Sequence, residues 1–489
     1  MNMNFIEWEM LENPMNICLL NGEYILENNI NLFNITFKRN EDYGLIGILN
    51  GFIDEINGNK IDNFFKSIKN NKIVIKSLYG NMDIVFRYNI KNYRYNQVYY
   101  TIKLDILYLN MGEIDEENLE WISRWYINGS DLILLRDPTY TLEKGSNYKR
   151  LNDEGELIIN TDWEFNHFVS SYFLVKPETL NPFMVSKISN KFNPNWSGKM
   201  SIDFFREWGF HNKEQINLIE KVLSFVFGRS LFDIGESHYD KNGNLIYFKA
   251  YSPRISRTIN LRHICERGAN CPIVYPLFEM HHEKDLAFLI DQCEQSNVNY
   301  LNVFNYLRES FNLSSMSEIV LIAGALEFLA ENWLKNNSTG KHEHMPQEEF
   351  ESLISDELSS IYQKFEQYGV EKIDDIMENI MGAYKKQGSK KLDLFFDELN
   401  INLGKIEKSA IQYRHAPAHG KVMKLKMIRK FTLRTMSYRL LLNRSILKSL
   451  NFEGKYWDLF SRSYKNLDES IDKEDFNRIL NSVKFLEDI

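Results

Sequence analysis

Apolar and polar positions change their rhythm along this chain. Up to about residue 110, short apolar or aromatic runs recur between Asn- and Gly-bearing turns: Tyr24-Ile25-Leu26, Leu45-Ile46-Gly47-Ile48-Leu49, Ile73-Val74-Ile75 and Ile84-Val85-Phe86. Runs of this length, bounded by turn residues, predict strands. Residues Val98 to Tyr108 alternate polar and apolar over part of their length, as a half-buried strand does. Asn21-Gly22 and Asn57-Gly58-Asn59 predict hairpin-type turns. A second strand-rich region runs to about Arg257. Within it, Asp240-Lys241-Asn242-Gly243-Asn244 lies between Tyr239 and Leu245-Ile246-Tyr247-Phe248 and predicts a hairpin, while one helix covers roughly Lys213 to Phe227.

From about Glu283 onward the spacing becomes helical. Helices are predicted at 283–310, 317–335, 347–367, 371–400 with an interruption near Gly388, 404–414 and 420–448. Ser315 and Glu318 read as a capping box, with Ser at N-cap and Glu at N3. Asn336 to Gly340 reads as a loop, and no repeat is present. The expected fold class is therefore α+β and multidomain: a β-rich region over 1–260, with a possible subdomain break near 110–160, followed by an all-α region over 280–489.

Composition adds bounds. The 489 residues are 44% hydrophobic and 14% aromatic, enough for real cores in two or three domains. No apolar run approaches the roughly 18–20 residues of a membrane span. The first 16 residues carry Glu7, Glu9 and Glu12 and no basic leader. Four cysteines, Cys18, Cys265, Cys271 and Cys293, are too scattered for a disulfide framework. A cytoplasmic protein without membrane association is expected. Phosphate-cradling Gly loops, dinucleotide fingerprints and GxSxG elbows are absent, so no cofactor is expected.

Charge changes the picture more. The chain has 58 Lys and Arg against 67 Asp and Glu, a net of −9. Yet residues 408–452 hold eleven Lys or Arg and no acid, which leaves about −20 for the remainder. Inside this basic stretch the chain reads Tyr413-Arg414-His415-Ala416-Pro417-Ala418-His419-Gly420. Pro417 cannot continue a helix from Ala416, so two helices are expected to meet here, with His419 in the first turn of the second. That place attracts an anion through free amides and the helix dipole. Arg414 offers a planar fork matched to phosphate oxygens. A histidine can take and return a proton near neutrality.

These are the groups that cleavage of RNA by its own 2′-OH requires, and DNA should resist. Arg414, His419 and, in support, His415 are the candidate catalytic residues. Lys421, Lys424, Lys426, Lys430 and Arg434 are candidate RNA contacts, with Lys426, Lys430 and Arg434 at i, i+4, i+8 on one face of the last helix. Val422, Leu425, Met436, Leu440 and Leu447 can fill another face. A zinc reading of His415 and His419 lacks the HExxH glutamate, since Ala416 stands in its place. A second cluster, His263, Cys265, Cys271, His281, His282 and Cys293, lacks the usual zinc spacing, and buried cysteines acting as small hydrophobes are the preferred reading over a structural zinc. Arg254, Arg257 and Arg262 form a minor basic cluster without an assigned role. Glu327 could orient a residue of the Arg414 motif or simply face water.

Arg414-His415-Ala416-Pro417-Ala418-His419 resembles the R-φ-x3-H signature of the HEPN superfamily, with His415 at φ. An earlier helix with Ala325-Leu326-Glu327-Phe328-Leu329 and a long helix after the motif are similar to HEPN context. A long β-rich region before such a domain resembles the ApeA-type anti-phage proteins. The resemblance implies a helical, metal-independent endoribonuclease that acts as a homodimer or higher oligomer. It implies abortive anti-phage defence, with RNA, transfer RNA among the candidates, as substrate and a phage-derived trigger. The products would carry 2′,3′-cyclic phosphate ends, and the β-rich half would sense the trigger or restrain the nuclease. The alternative is a non-catalytic RNA- or protein-binding HEPN module joined to a β-rich ligand-recognition region.

Overall fold

The structure is a computed structural model, and it describes residues 15–18, 25–26, 30–40, 43–53, 72–77, 80–87, 93–96, 99–129, 148–151, 157–160, 167–190, 198–253, 271–273, 282–311, 313, 315–337, 347–369, 372–381, 388–413 and 425–482. The fold is α+β, with a large antiparallel sheet in the first half and helices in the second. The chain divides into two compact units. The first comprises residues 1–220, 229–269 and 275–288, and the second 221–228, 270–274 and 289–489. Residues 221–228 and 282–288 thus fall on the other side of a boundary drawn at 260–280, and 270–274 lies within that interval. The pieces 221–228 and 270–274 contribute directly to the helical unit: Phe225 packs on Phe304 with ring centroids 5.4 Å apart, and Trp457 N donates to Pro272 O.

In the first unit the strands are β1 (Met15–Cys18), β2 (Ile25–Leu26), β3 (Ile30–Arg39), β4 (Leu45–Ile53), β5 (Lys72–Ser77), β6 (Gly80–Arg87), β7 (Tyr93–Asn96), β8 (Tyr99–Gly112), β9 (Trp121–Ile127), β10 (Tyr148–Leu151), β11 (Leu157–Asn160), β12 (His167–Val175), β13 (Phe183–Asn190), β14 (Met200–Phe205), β15 (Phe232–Tyr239) and β16 (Leu245–Tyr251). Fourteen of them form one sheet along the path β1-β3-β4-β8-β16-β15-β9-β14-β13-β12, with β2, β5, β6 and β7 attached beside it; β10 and β11 pair separately. Strands β8 and β9 belong to the same sheet, since β8 joins β16, β16 joins β15 and β15 joins β9.

Strand β8 is the hub. Its residues 99–106 pair with β4 and its residues 108–112 with β16, while β7 and β6 pair with overlapping positions. A strand has only two edges, so β4 and β16 must follow one another along one edge and β7 and β6 along the other. Gly112 makes this junction possible, because a Cβ there would lie 2.2 Å from the Ile246 carbonyl oxygen. The β15–β16 turn follows the sequence expectation: the Asp240 carboxylate accepts from the backbone of Asn242 and Asn244, and Gly243 has φ 77°. The turns expected at Asn21-Gly22 and Asn57-Gly58-Asn59 lie outside the described residues.

One face of this sheet gathers Trp121, Trp125, Ile127, Met184, Ile188, Phe205, Ile234 and Tyr239 into an apolar core. Helix α1 (Lys213–Phe227) starts at a reciprocal cap: Asn212 Oδ1 accepts from the amides of Glu214 and Gln215, and Gln215 Oε1 accepts from the Asn212 amide.

The second unit is built on helices α2 (His282–Gln295, from Leu289 onward), α3 (Tyr300–Ser310), α4 (Ser315–Asn337), α5 (Gln347–Gln367), α6 (Ile373–Met381), α7 (Gly388–Glu398), α8 (Lys405–Tyr413), α9 (Leu425–Ser449) and α10 (Lys473–Ser482). The single helix expected over 283–310 is broken. Ser296 Oγ accepts from the Val298 amide, and Asn299 caps a new helix by accepting from Asn302 N. The all-α expectation also misses a short hairpin, β17 (Lys455–Asp458) with β18 (Ser463–Asn466). Buried Asp458 organises its turn through Phe460 N, Ser461 Oγ and Lys465 Nζ. The described part of the last helix begins at Leu425, and residues 414–424 lie outside the described residues.

Helix α9 is the axis of this unit. Every residue from Ser437 to Leu447 is buried, including Arg439 and Arg444. Arg444 is 0% exposed; its Nη1 donates to Glu407 Oε1 at 3.1 Å, its Nε to Leu467 O at 2.9 Å and its Nη2 to Asn402 O at 3.4 Å. Glu407 Oε1 also accepts from Ile471 N at 2.7 Å. One ion pair therefore joins α8, α9 and the segments entering α8 and α10. Arg439 is paired with Glu318 at 2.8 Å and lies over the Phe311 ring. Glu318 thus serves a helix–helix ion pair, and the described α4 already includes Ser315.

Removing one partner of a buried ion pair strands the other. Arg444→Met is therefore expected to destabilise the protein by about 3–5 kcal/mol in denaturant unfolding, and the double variant Arg444→Met/Glu407→Leu by less than the two single losses together. Additive losses would contradict the pairing.

In the first unit, burial pushes the His238 imidazole down to about 4, and the Lys249 ammonium adds to the shift. A histidine whose folded pKa is depressed stabilises the fold fully above its unfolded value near 6.5 and loses that contribution as pH falls toward 4. Asp285, pushed up to about 6 by burial, acts in the opposite sense over the same window. The His238 contribution is therefore isolated by difference. The stability of the wild type relative to His238→Gln should fall as pH is lowered from 6.5 to 4, and a constant difference would refute the burial account.

Candidate functional site

The candidate site lies at the junction of α8 and α9. Arg414, His415, His419, Lys421 and Lys424 lie outside the described residues, as does the side chain of Lys426 on the first turn of α9. What the structure places are the two helices on either side and the side chains that hold them together.

The described part of helix α8 runs to Tyr413, the residue immediately before Arg414. It buries Glu407 and Ala410. The Tyr413 ring carries the Arg434 guanidinium 3.4 Å from its centroid. A planar cation stacked on an aromatic face at this distance is a favourable cation–π contact. Arg434 itself is only 9% exposed. Helix α8 is thereby held on α9 at two positions, Tyr413 by Arg434 and Glu407 by Arg444.

The basic residues of this region divide into two groups. Lys408 and Lys430 are exposed and Arg429 is intermediate, so these can meet a solvent-borne anion. Arg434, Arg439 and Arg444 are buried. Burial draws the Arg439 guanidinium below its ordinary range while Glu318 opposes the shift. The expected stripe of Lys426, Lys430 and Arg434 is consequently not one exposed face, since Arg434 turns inward onto Tyr413. Among the predicted apolar positions, Leu440 and Leu447 are buried and Met436 is intermediate.

Two residues that the sequence reading missed are Glu407 and, as an ion-pair partner, Glu318. Glu407 sits one position before the acid-free stretch begins, and it neutralises a cation at the far end of that stretch. A signal for this was present. Arg439 and Arg444 lie within Tyr438-Arg439-Leu440-Leu441-Leu442-Asn443-Arg444-Ser445-Ile446-Leu447, and arginines embedded in an apolar run that long are expected to be buried and paired.

Of the His/Cys cluster, His263, Cys265 and His281 lie outside the described residues, as does the side chain of His282. Cys271 is buried and its thiol donates to Phe227 O at 3.1 Å. Burial pushes the Cys293 thiol far above its ordinary range. Burial therefore keeps the Cys293 thiol protonated. Among the described residues no group of three or more His, Cys, Asp or Glu gathers into a possible metal site. Glu327 is exposed on α4, while Ala325, Leu326 and Leu329 beside it are buried. Arg254, Arg257 and Arg262 lie outside the described residues.

Two polar clusters of the β-rich unit surround β9. Arg124 on β9 reaches Glu220 of α1 at 3.0 Å and Asp233 of β15 at 2.5 Å, and the Tyr126 hydroxyl donates to Glu220. Burial raises the Asp233 carboxyl and Arg124 opposes the shift; burial and Glu220 hold the Tyr126 phenol well above its usual range. The buried Nε of Arg124 has no hydrogen-bond partner. On the opposite face of β9, fully buried Asp203 accepts from Ser123, Ser186 and Ser201. A carboxylate surrounded by serine donors is satisfied without a histidine.

No helix among the described residues is long and apolar enough to cross a membrane. No family model, no curated protein and no solved structure matches this chain.

Proposed function

We propose that this chain is a metal-independent endoribonuclease of the HEPN class. The observation that carries this reading is the placement of the Arg414–His419 motif directly after Tyr413, which Arg434 holds against α9. A catalytic pair needs a defined separation, and the helix that leads into the motif is held on α9 through Arg434 and Arg444.

In this reading His419 takes the proton from a ribose 2′-OH. The oxygen attacks the adjacent phosphorus, the P–O5′ bond breaks, and the departing 5′-oxygen gains a proton. Arg414 binds the non-bridging oxygens as negative charge builds on them. His415 assists by orienting the phosphate or returning the proton. The products are a 2′,3′-cyclic phosphate and a 5′-OH, and the chemistry supplies its own nucleophile without a metal. Lys421, Lys424, Lys426 and exposed Lys430 guide the backbone of the RNA. Cytoplasmic action in anti-phage defence, transfer RNA as the substrate and a phage-derived trigger belong to the same proposal. So does a restraining or sensing role for the β-rich unit.

Incubating the purified protein with total bacterial RNA in EDTA tests the assignment. The wild type should cleave and leave cyclic-phosphate ends, and Arg414→Ala and His419→Ala should each fall by at least about 100-fold while still binding RNA. Equal cleavage by all three proteins would sink the assignment of these residues. A cellular effect that survives His419→Ala would favour the binding-module alternative.

Arg434 is assigned a positioning role, and this separates it from Lys430. Arg434→Leu should lower kcat by roughly tenfold or more with little change in RNA affinity, because the residue holds Tyr413 and not phosphate. Lys430→Ala should weaken RNA binding and reduce its salt slope by about 1 while leaving kcat nearly unchanged. The reverse pattern in steady-state and binding measurements would restore Arg434 as an RNA contact.

A further inference from the structure

Helices α5 and α6 pack on one another yet leave apolar side chains open, unlike the rest of the helical unit. None of the described side chains from Glu348 to Gly369 is buried, nor is any described side chain of α6. Along α5, Phe350, Ile354, Leu358, Ile361 and Phe365 recur at intervals of three and four on one face and are only half-buried. Leu353 and Tyr362 flank this stripe on its two sides and are 60% and 41% exposed, and Tyr368 just beyond α5 is 84% exposed. By contrast α4, of similar length, fully buries Ile319, Ile322, Leu326 and Leu329. An apolar stripe of this length left in water marks a surface that a partner covers.

Charge and spacing together define the occupant. Residues 347–381 carry ten Asp or Glu and only Lys364 and Lys372, a net of −8 in a chain whose total is −9. Glu348, Glu349, Asp356, Glu357 and Glu366 are exposed, and none of them forms an ion pair among the described residues. By helical spacing, Glu357 borders the stripe on the Leu353 side and Glu366 on the Tyr362 side. Such a rim repels the phosphates of RNA, an anionic bilayer and a second acidic hairpin alike. It admits a cationic surface. A stripe with a spacing of three and four is covered most fully by another helix, whose own apolar residues interdigitate with it.

We propose that the 347–381 hairpin is the docking surface for a cationic amphipathic helix of another protein. The partner carries apolar residues at i, i+3, i+4 and i+7, with Lys or Arg on both flanks. The stripe from Phe350 to Tyr368 spans roughly 27 Å at about 1.5 Å per residue, so the partner helix has about 18 residues. Leu353 and Tyr362 meet its apolar face, and Glu357 and Glu366 meet its cationic flanks. Apolar burial supplies affinity, while the charged rims fix orientation and exclude acidic helices. The surface uses no residue of the Arg414–His419 site, so this inference and the ribonuclease reading can fail separately.

Fluorescence anisotropy with the full chain, freed of RNA, and labelled peptides of about 18 residues tests it. One peptide has Leu at the apolar heptad positions and Lys at the flanking ones. A second has the same composition scrambled, and a third carries Glu in place of Lys. At ~150 mM salt the first should bind at least tenfold more tightly than the scrambled peptide of equal charge, and the third should not bind. Leu353→Gln/Tyr362→Gln and Glu357→Lys/Glu366→Lys should each weaken binding of the first peptide at least tenfold with unchanged thermal unfolding. Equal binding of the patterned and scrambled peptides would overturn the proposal, as would indifference to either pair of substitutions. Self-association through this face, abolished by the same substitutions and not displaced by the peptide, would overturn the assigned occupant.

Discussion

A guanidinium without solvent exposure must be neutralised by the protein around it, and Arg444 is where this chain meets that constraint. Its partner Glu407 lies on α8, its remaining donors reach Asn402 and Leu467, and the same carboxylate oxygen receives the Ile471 amide. Four segments are thus registered on one pair. Because both groups are 0% exposed, any arrangement that separated them would leave a bare charge in a dry interior. Buried pairs of this kind contribute specificity of arrangement more than net stability, and the arrangement fixed here is the one that carries residues 414–424 between two helices.

The same constraint redistributes the charge of the last helix. Taken from sequence, residues 408–452 look like a continuous cationic strip. In the fold, Arg434, Arg439 and Arg444 are taken up by Tyr413, Glu318 and Glu407, while Lys408 and Lys430 face solvent. Residues 347–381, by contrast, carry ten Asp or Glu against Lys364 and Lys372.

Much of this was legible in the sequence where local chemistry dictates local structure. Asp240 to Asn244 had to turn because its carboxylate and glycine serve the turn directly, and α1 and α5 begin and end where their periodicity does. The break between α2 and α3 was missed because Ser296 and Asn299 cap within an otherwise continuous helical pattern. The hairpin β17–β18 was missed because its order depends on buried Asp458 and its contacts with Ser461 and Lys465. The ion pairs of Arg439 and Arg444 join residues more than thirty positions apart, and no local pattern names such partners. Glu318 illustrates the point: its spacing from Ser315 suits a cap, yet a distant arginine takes it. The motif was found because Arg414, His415 and His419 are close in sequence and their side-chain chemistry is specific.

The central claim is that the attacking nucleophile is the ribose 2′-OH of the RNA itself, activated at Arg414 and His419. The most direct measurement compares a short RNA cut by the protein in EDTA with the same oligonucleotide bearing a single 2′-deoxy residue immediately 5′ to the cleaved bond. The account predicts that the substituted bond remains intact while the oligonucleotide still binds and is cut at any other susceptible position. Cleavage at the 2′-deoxy position would contradict it.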